Sequence, residues 1–281
     1  MKTEIIHEKQ DLTHLSWSLI RSSSGTAGSF LKATSEFGDR KIYYKLSNFD
    51  SVNGIVGHEC ANEIIADKLL TVLGVDHLHY QLIHADINVQ GQTLETYLCA
   101  SEDFKQRGED KVALDVFYEL ERQEGETPLA FCVRNEWADY IYQMLVVDFL
   151  LLNRDRHGAN IEVLRNTKKR TIRLAPIFDH GLSLLFNCYD EDAVRSFDVM
   201  QDKQIQCFVS SRSAQENLML IPGSELPALR PLRSSDREFI LGGLDPVLPK
   251  LWRDRIWEMI ERRWQYYESF CNQRRTGSIA D

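Results

Sequence analysis

The chain has 281 residues, 43% apolar and 27% charged, enough to bury a sizeable core in one large domain or two lobes. Its 33 basic and 42 acidic side chains leave a net charge of −9, which argues against nucleic acid or an anionic membrane as a general partner. The cysteines (Cys60, Cys99, Cys132, Cys188, Cys207, Cys271) are scattered, with no Cys-x-x-Cys pair and no clustered histidines, so neither a zinc site nor a disulfide framework is expected.

Residues 1–9 contain no apolar run of signal length, and no segment reaches the roughly 18 apolar residues of a membrane span. The cytoplasm is the default location, with secretion as an effector by a signal-independent route left open. Residues 17–21, 30–34 and 41–46 are short β-prone runs separated by turn-rich pieces, a pattern that predicts an antiparallel meander. The turn Ser22-Ser23-Ser24-Gly25-Thr26-Ala27-Gly28 could lay its backbone over a phosphate chain, although most such segments are simply turns. Lys45 ends the third run, where a strand facing a cleft would aim its ammonium inward; a solvated edge lysine is the plainer reading.

Residues 57–74 carry apolar side chains at helical spacing and stop at Gly74. Glu59 and Glu63, four apart, share one face of that helix, and either could reach a lysine on the sheet. Strands at 79–89 and 93–99 complete a sheet of about five strands with one helix, and residues 100–103 form a candidate hinge.

From residue 102 helical signals dominate. Residues 112–122 form an amphipathic run, broken by Glu124-Gly125-Glu126-Thr127-Pro128. Residues 136–152 are apolar on most sides and predict a buried helix, in which Asp148 must be paired or hydrogen-bonded. Then comes Asn153-Arg154-Asp155-Arg156-His157-Gly158-Ala159-Asn160, and a hairpin of 161–164 with 171–174 returns the chain to Phe178-Asp179-His180-Gly181. Segments 191–206 and 211–220 are polar and hard to place, and 222–231 reads as a loop. A last helix over 248–274 presents Trp252, Ile256, Met259, Ile260, Tyr267 and Phe270 to the core. Its arginines, Arg253, Arg255, Arg262, Arg263, Arg274 and Arg275, read as a solvated face or a docking patch for an acidic partner. The tail from Thr276 is expected to be disordered.

Phosphoryl transfer requires a carboxylate to orient the attacking hydroxyl, a carboxylate and an amide oxygen for magnesium, and a cation on the phosphates. Asp155 and Asn160 keep the Asp-to-Asn interval of the protein-kinase catalytic loop, and Asp179 with Gly181 stands where a metal-binding Asp-x-Gly belongs. An isolated Asp-Arg-His could be a surface loop with a salt bridge. The informative feature is the order: glycine turn, Lys45, helical glutamate, Asp/Asn loop, Asp-x-Gly. His157 is read as packing or hydrogen-bonding under the loop and orienting its carboxylates, in preference to acting as a base.

At these residues the chain resembles the HipA-like serine/threonine kinases, bacterial relatives of the protein-kinase fold, many of them toxins of toxin-antitoxin pairs. The resemblance rests on Asn153-x-Asp155-x-His157-x-x-Asn160, Leu174-Ala175-Pro176-Ile177-Phe178-Asp179, Ser22-x-Ser24-Gly25, and Asn62-Glu63 ahead of Ala66, Leu69 and Gly74. It spans about residues 17–190, and the Asp-Arg-His-x-x-Asn loop is also similar to that of the phosphatidylinositol kinases. The resemblance implies that Asp155 is the catalytic base and that Asn160 and Asp179 bind Mg²⁺. It further implies that Lys45, with Glu63 and the loop residues Ser24, Gly25, Thr26 and Gly28, contacts ATP. Family members silence themselves by phosphorylating a serine of that loop, for which Ser22 and Ser24 are the candidates. Two departures are visible: about twenty residues precede the loop where larger members carry a further subdomain, and Thr26-Ala27-Gly28 is richer in glycine than usual.

The expected fold is therefore α+β and bilobal, protein-kinase-like, with a strand-rich lobe over 1–101 and a helical lobe over 102–281. The expected activity is Mg-ATP-dependent phosphorylation of a protein serine or threonine. A protein substrate is the main expected partner, and an antitoxin or regulatory chain a further one. The alternatives are a lipid or small-molecule kinase on the same fold, and a pseudokinase that serves as a binding module.

Overall fold

The structure is a computed structural model that describes residues 1–20, 27–38 and 40–277. Its first part contains β1 (Glu4–Asp11), β2 (Ser18–Ile20), β3 (Ala27–Phe37), β4 (Arg40–Lys45), a small ladder of β5 (Phe49–Asp50) with β6 (Gly54–Ile55), helix α1 (Glu59–Leu73), and the long hairpin β7 (Tyr80–Val89) and β8 (Gln92–Glu102). Six of these strands form one sheet in the order β1-β7-β8-β4-β3-β2. The hairpin closes through Gln90 and Gly91, both at positive φ (54° and 84°), a two-residue turn whose twist matches that of the strands it joins.

The sheet has one strand more than the residue patterns suggest. β1 pairs in parallel with β7 at the sheet edge, and its side chains are exposed or half-buried, so it carries no alternating apolar signal. Only long-range backbone pairing makes it a strand. The expected hinge at 100–103 also differs, because β8 continues to Glu102 and the chain leaves the sheet at Asp103.

The two faces of the sheet serve different cores. Leu82 and Cys99 join α1 and the later helices in the larger core, whereas Ile83, Ala85, Ile87, Leu98 and Ala100 pack with Leu15, Tyr44 and Leu46 on the opposite face. Helix α1 is buried on almost every side, and Gly74 ends it in the left-handed conformation (φ 75°), its N–H returning to carbonyls of the last turn.

The second part runs β9 (Asp110–Ala113), α2 (Leu114–Glu121), α3 (Pro128–Arg134), α4 (Ala138–Leu151), β10 (Asp155–Arg156), β11 (Glu162–Asn166), β12 (Thr171–Leu174), α5 (Glu191–Ser196), β13 (Gln206–Cys207), α6 (Ala214–Leu218), α7 (Arg237–Leu241) and α8 (Lys250–Arg275). The hairpin β11–β12 forms where the sequence predicts one. It gains β9 as a third strand, so the amphipathic run at 112–122 is split: Val112 is extended and the helix begins at Leu114. Helix α3 was not legible as an element; Thr127 caps it by accepting from the Ala130 N–H, with Pro128 in its first turn. The polar stretch 191–220 contains α5, β13 and α6.

Ten of the fourteen residues of α4 are buried, and each fully buried Leu, Val or Phe contributes about 1.5–3 kcal/mol of apolar burial. Helix α8 packs with Trp252, Ile256, Met259, Ile260, Tyr267 and Phe270 inward. Its arginines are not one solvated face. Arg263 is fully buried and donates to the carbonyls of Val199, Phe149 and Gln201; buried Arg274 donates to the carbonyl of Met219. A guanidinium satisfies several loop carbonyls at once, and helical spacing cannot reveal that. The tail from Thr276 lies mostly outside the described residues. Among the described residues no helix is long and apolar enough to cross a membrane.

Candidate active site

The stretch from Asn153 to Asn160 begins where α4 ends in a left-handed residue, Leu152 (φ 51°). Beneath it lies Asp148, whose Oδ1 accepts from Asn153 Nδ2 at 2.9 Å and from Arg156 Nη2 at 3.0 Å, while Oδ2 accepts from Arg156 Nε at 2.9 Å. Arg156 is 1% exposed. Burial works against its charge, but the fork on Asp148 outweighs that and raises its pKa. From the same guanidinium, Nη1 donates to the carbonyls of Asn160 (3.2 Å) and Phe178 (2.7 Å), and Nη2 lies 3.1 Å from His180 Nε2. One buried cation therefore joins the loop to the Asp179 segment. His180 is buried, and burial followed by the neighbouring Arg156 charge lowers its pKa well below the ordinary value, so its ring is neutral and Nε2 accepts.

On the loop, Asn160 donates its amide to the Asp155 carbonyl (2.7 Å) and to Asp155 Oδ2 (3.3 Å), which fixes the two side chains against each other. Strand β10 is held beside β13 in parallel pairing. His157 does not lie under the loop. Its side chain is 39% exposed, with Nε2 3.5 Å from Asp155 Oδ1 and Nδ1 accepting from the Ala159 N–H, so it caps the short 3-10 turn Gly158–Asn160 at the surface. The position beneath belongs to Arg156, which the residue types alone did not distinguish from Arg154 or His157. The available signal was Asp148, a carboxylate in an apolar helix that had to find a cation.

Lys45, at the end of β4, places Nζ 2.9 Å from Glu63 Oε1 and 2.7 Å from Asp179 Oδ1. Desolvation opposes its charge, but Asp179 and Glu63 together override it and hold the ammonium well above its ordinary pKa. Glu63 is fully buried; burial raises its pKa, Lys45 opposes and Asp179 adds to the rise. Its other oxygen accepts from the His180 N–H at 2.8 Å. Glu59 does not pair with the lysine and instead accepts from the Asn48 N–H.

Asp179 adopts a left-handed backbone (φ 63°), uncommon but tolerated by aspartate, that points its carboxylate at Lys45. Asn62 donates to the carbonyls of Gly181 and Ser183 and pins the same segment to α1. A Cβ on Gly181 would stand 3.1 Å from Lys45 Nζ and 3.4 Å from Glu63 Oε1, so the glycine admits the ion pair.

Lys45, Glu63 and Asp179 line a cavity of about 330 Å³ between the sheet and the second part of the chain, together with Tyr80, Phe104 and Phe178 among others. Above the lysine, the Phe30 ring lies 5.0 Å from Nζ. A second cavity of about 670 Å³, lined by Arg154, His157, Phe208 and Arg212, opens on the other side of the loop. Of the expected glycine-rich turn, Ser22, Ser24, Gly25 and Thr26 lie outside the described residues, and Gly28 falls within β3.

Asp179, Asn160 and Asp155 carry hard oxygen donors, the kind that suits a magnesium ion, and the amide nitrogen of Asn160 is committed to Asp155. The histidines are more clustered than their scatter suggests, because His77 and His79 meet at Asp67.

The fold is a mixed α+β, kinase-like one, with a strand-rich sheet first and helices after it. Among solved structures the chain is similar to a Helicobacter pylori proinflammatory kinase, CtkA. The TM-score is 0.58 at 16% identity, and the match covers 90% of this chain and 93% of that one. No protein-family model matches the chain, and no curated protein matches it significantly.

Proposed function

We propose that the protein is an ATP- and magnesium-dependent serine/threonine kinase of the HipA-like type, built as a nucleotide-binding lobe up to about residue 101 and a catalytic lobe after it. The observation that carries this reading is Lys45 held between Glu63 and Asp179 at the mouth of the cavity, with Arg156 tying the Asp155–Asn160 loop to the Asp179 segment. Likeness in fold to a protein described as a kinase supports it.

In this reading Lys45 contacts the nucleotide phosphates and Glu63 keeps its ammonium in place. Asp155 orients the acceptor hydroxyl and takes its proton as the oxygen attacks the γ-phosphorus and the bond to the β–γ bridging oxygen breaks. Asn160 and Asp179 would hold magnesium, which when bound neutralises charge on the β- and γ-phosphate oxygens. His157, partly exposed beside Asp155, orients that carboxylate from the solvent side. The open cavity past His157 favours a peptide acceptor. Self-inhibition through Ser22 or Ser24 belongs to the same proposal, as does a regulatory partner such as an antitoxin. A cytoplasmic setting belongs to the same proposal.

The test is transfer from radiolabelled ATP by the purified chain, beside Asp155→Ala and Asp179→Ala. Labelling of the chain or of a generic protein by wild type alone supports the reading, with phosphate mapped by mass spectrometry to residues 22–26 if self-inhibition operates. A wild type that neither binds Mg-ATP nor transfers phosphate overturns it in favour of a binding module.

A further inference from the structure

One helical turn beyond Glu63 on α1, the Asp67 carboxylate meets polar atoms from two other parts of the chain, Thr3 and the segment 77–80. Its Oδ1 lies 2.8 Å from His77 Nε2, 3.0 Å from His79 Nδ1 and 2.7 Å from the Thr3 hydroxyl. One ligand atom from each of Asp67, His77 and His79 lies within 4.8 Å of the others. The second oxygen of Asp67 accepts from the Tyr80 N–H at 2.7 Å, which fixes how the carboxylate is turned.

The tautomer of His77 is informative. Its Nδ1 lies 2.7 Å from the carbonyl oxygen of Val75, an atom that can only accept, so the ring proton sits on Nδ1. Its Nε2 faces the Asp67 carboxylate oxygen at 2.8 Å, the place where a metal ion would stand instead of a proton. A histidine whose far nitrogen donates to a backbone carbonyl, beside a carboxylate whose far oxygen is held by a backbone N–H, is the outer-shell pattern that orients metal ligands. Asp67 and His77 are buried, while the His79 side chain is 46% exposed, which leaves a path from solvent.

We propose that Asp67, His77 and His79 form a binding site for one divalent ion of the zinc class. Two imidazoles and a carboxylate suit such a borderline ion, and three protein ligands leave a position for water or the Thr3 hydroxyl. The site joins α1 to the segment before β7, with Thr3, just ahead of β1, beside it. It also touches the segment that carries Asp179: His77 forms an isolated bridge with Ile177, and the Leu78 N–H donates to the Ile177 carbonyl. An ion there would brace the segment two residues before Asp179 from behind. The proposal does not depend on the kinase reading.

The experiment uses the full chain, stripped with chelator and dialysed, titrated with Zn²⁺ against a chromophoric zinc indicator, with Co²⁺ absorption as a second probe. Wild type is expected to bind one equivalent, to give a tetrahedral-type Co²⁺ spectrum and to melt at a higher temperature with Zn²⁺. His77→Gln and His79→Gln should each weaken binding by about 100-fold and abolish the Zn²⁺-dependent rise, while Asp179→Asn, outside this site, should retain both. Melting curves without metal verify that each variant is folded; His79, half-exposed, is the variant expected to leave the fold intact. Folded wild type that does not compete with the indicator, or binding undiminished in both histidine variants, overturns the proposal.

Discussion

Lys45 Nζ and Asp179 Oδ1 lie 2.7 Å apart although 134 residues separate them in the chain, and Glu63 shares the same ammonium. Lys45 is only 14% exposed, so two carboxylates depend on one cation in a poorly solvated place. Lys45→Met should therefore destabilise the protein by about 3–5 kcal/mol and, on the proposed kinase reading, remove Mg-ATP binding. Burial already raises the Glu63 pKa, and loss of Lys45 raises it further. A carboxyl whose folded pKa lies above its unfolded value costs stability as pH rises through that interval. The gap between the variant and wild type should thus narrow at acid pH. Chemical denaturation at two pH values checks this; a gap that widens on acidification contradicts it.

The Asp148–Arg156 pair gives a second prediction. Both side chains are nearly inaccessible, and each removal strands a buried charge. Arg156→Leu and Asp148→Leu should each cost about 3–5 kcal/mol, while the double variant should cost clearly less than their sum. A double-mutant cycle from urea midpoints measures the coupling. Phosphotransfer should stay low in all three, because Arg156 also holds the carbonyls of Asn160 and Phe178.

His58, the residue before α1, predicts a pH dependence. Burial lowers its pKa from 6.5 to about 4. The folded state keeps the ring neutral where the unfolded chain would already bind a proton, so stability is full above pH 6.5 and falls as pH drops towards about 4. His58→Asn, which cannot titrate and is favoured at a helix N-cap, should show a shallower fall in melting temperature across that window. Parallel slopes for the two proteins would remove His58 as a contributor.

Two neighbouring arginines of α8 should behave differently. Arg263→Met leaves the buried carbonyls of Val199 and Phe149 without their donor, at about 1–3 kcal/mol for each group left unsatisfied, besides the part-buried carbonyl of Gln201. Arg262, 53% exposed and 3.6 Å from Glu258, should be replaceable by Met within about 0.5 kcal/mol. Equal urea midpoints for the two variants would contradict the burial argument.

Elements whose signals lie within a few residues were legible in the sequence: the glycine stop of α1, the buried run of α4, the β11–β12 hairpin, and the intervals from Asp155 to Asn160 and Asp179. These depend on backbone preference and on apolar period, both written locally. Strand β1 carried no such signal, because an exposed edge strand is defined by the partner it finds. Contacts between distant segments set the rest: Glu63 rather than Glu59 meets Lys45, Arg156 rather than His157 lies under the loop, and Asp67, His77 and His79 converge. Each is a choice among equivalent residue types. It is made by which side chain the packed core removes from water, where a charge or a lone pair has to find its partner.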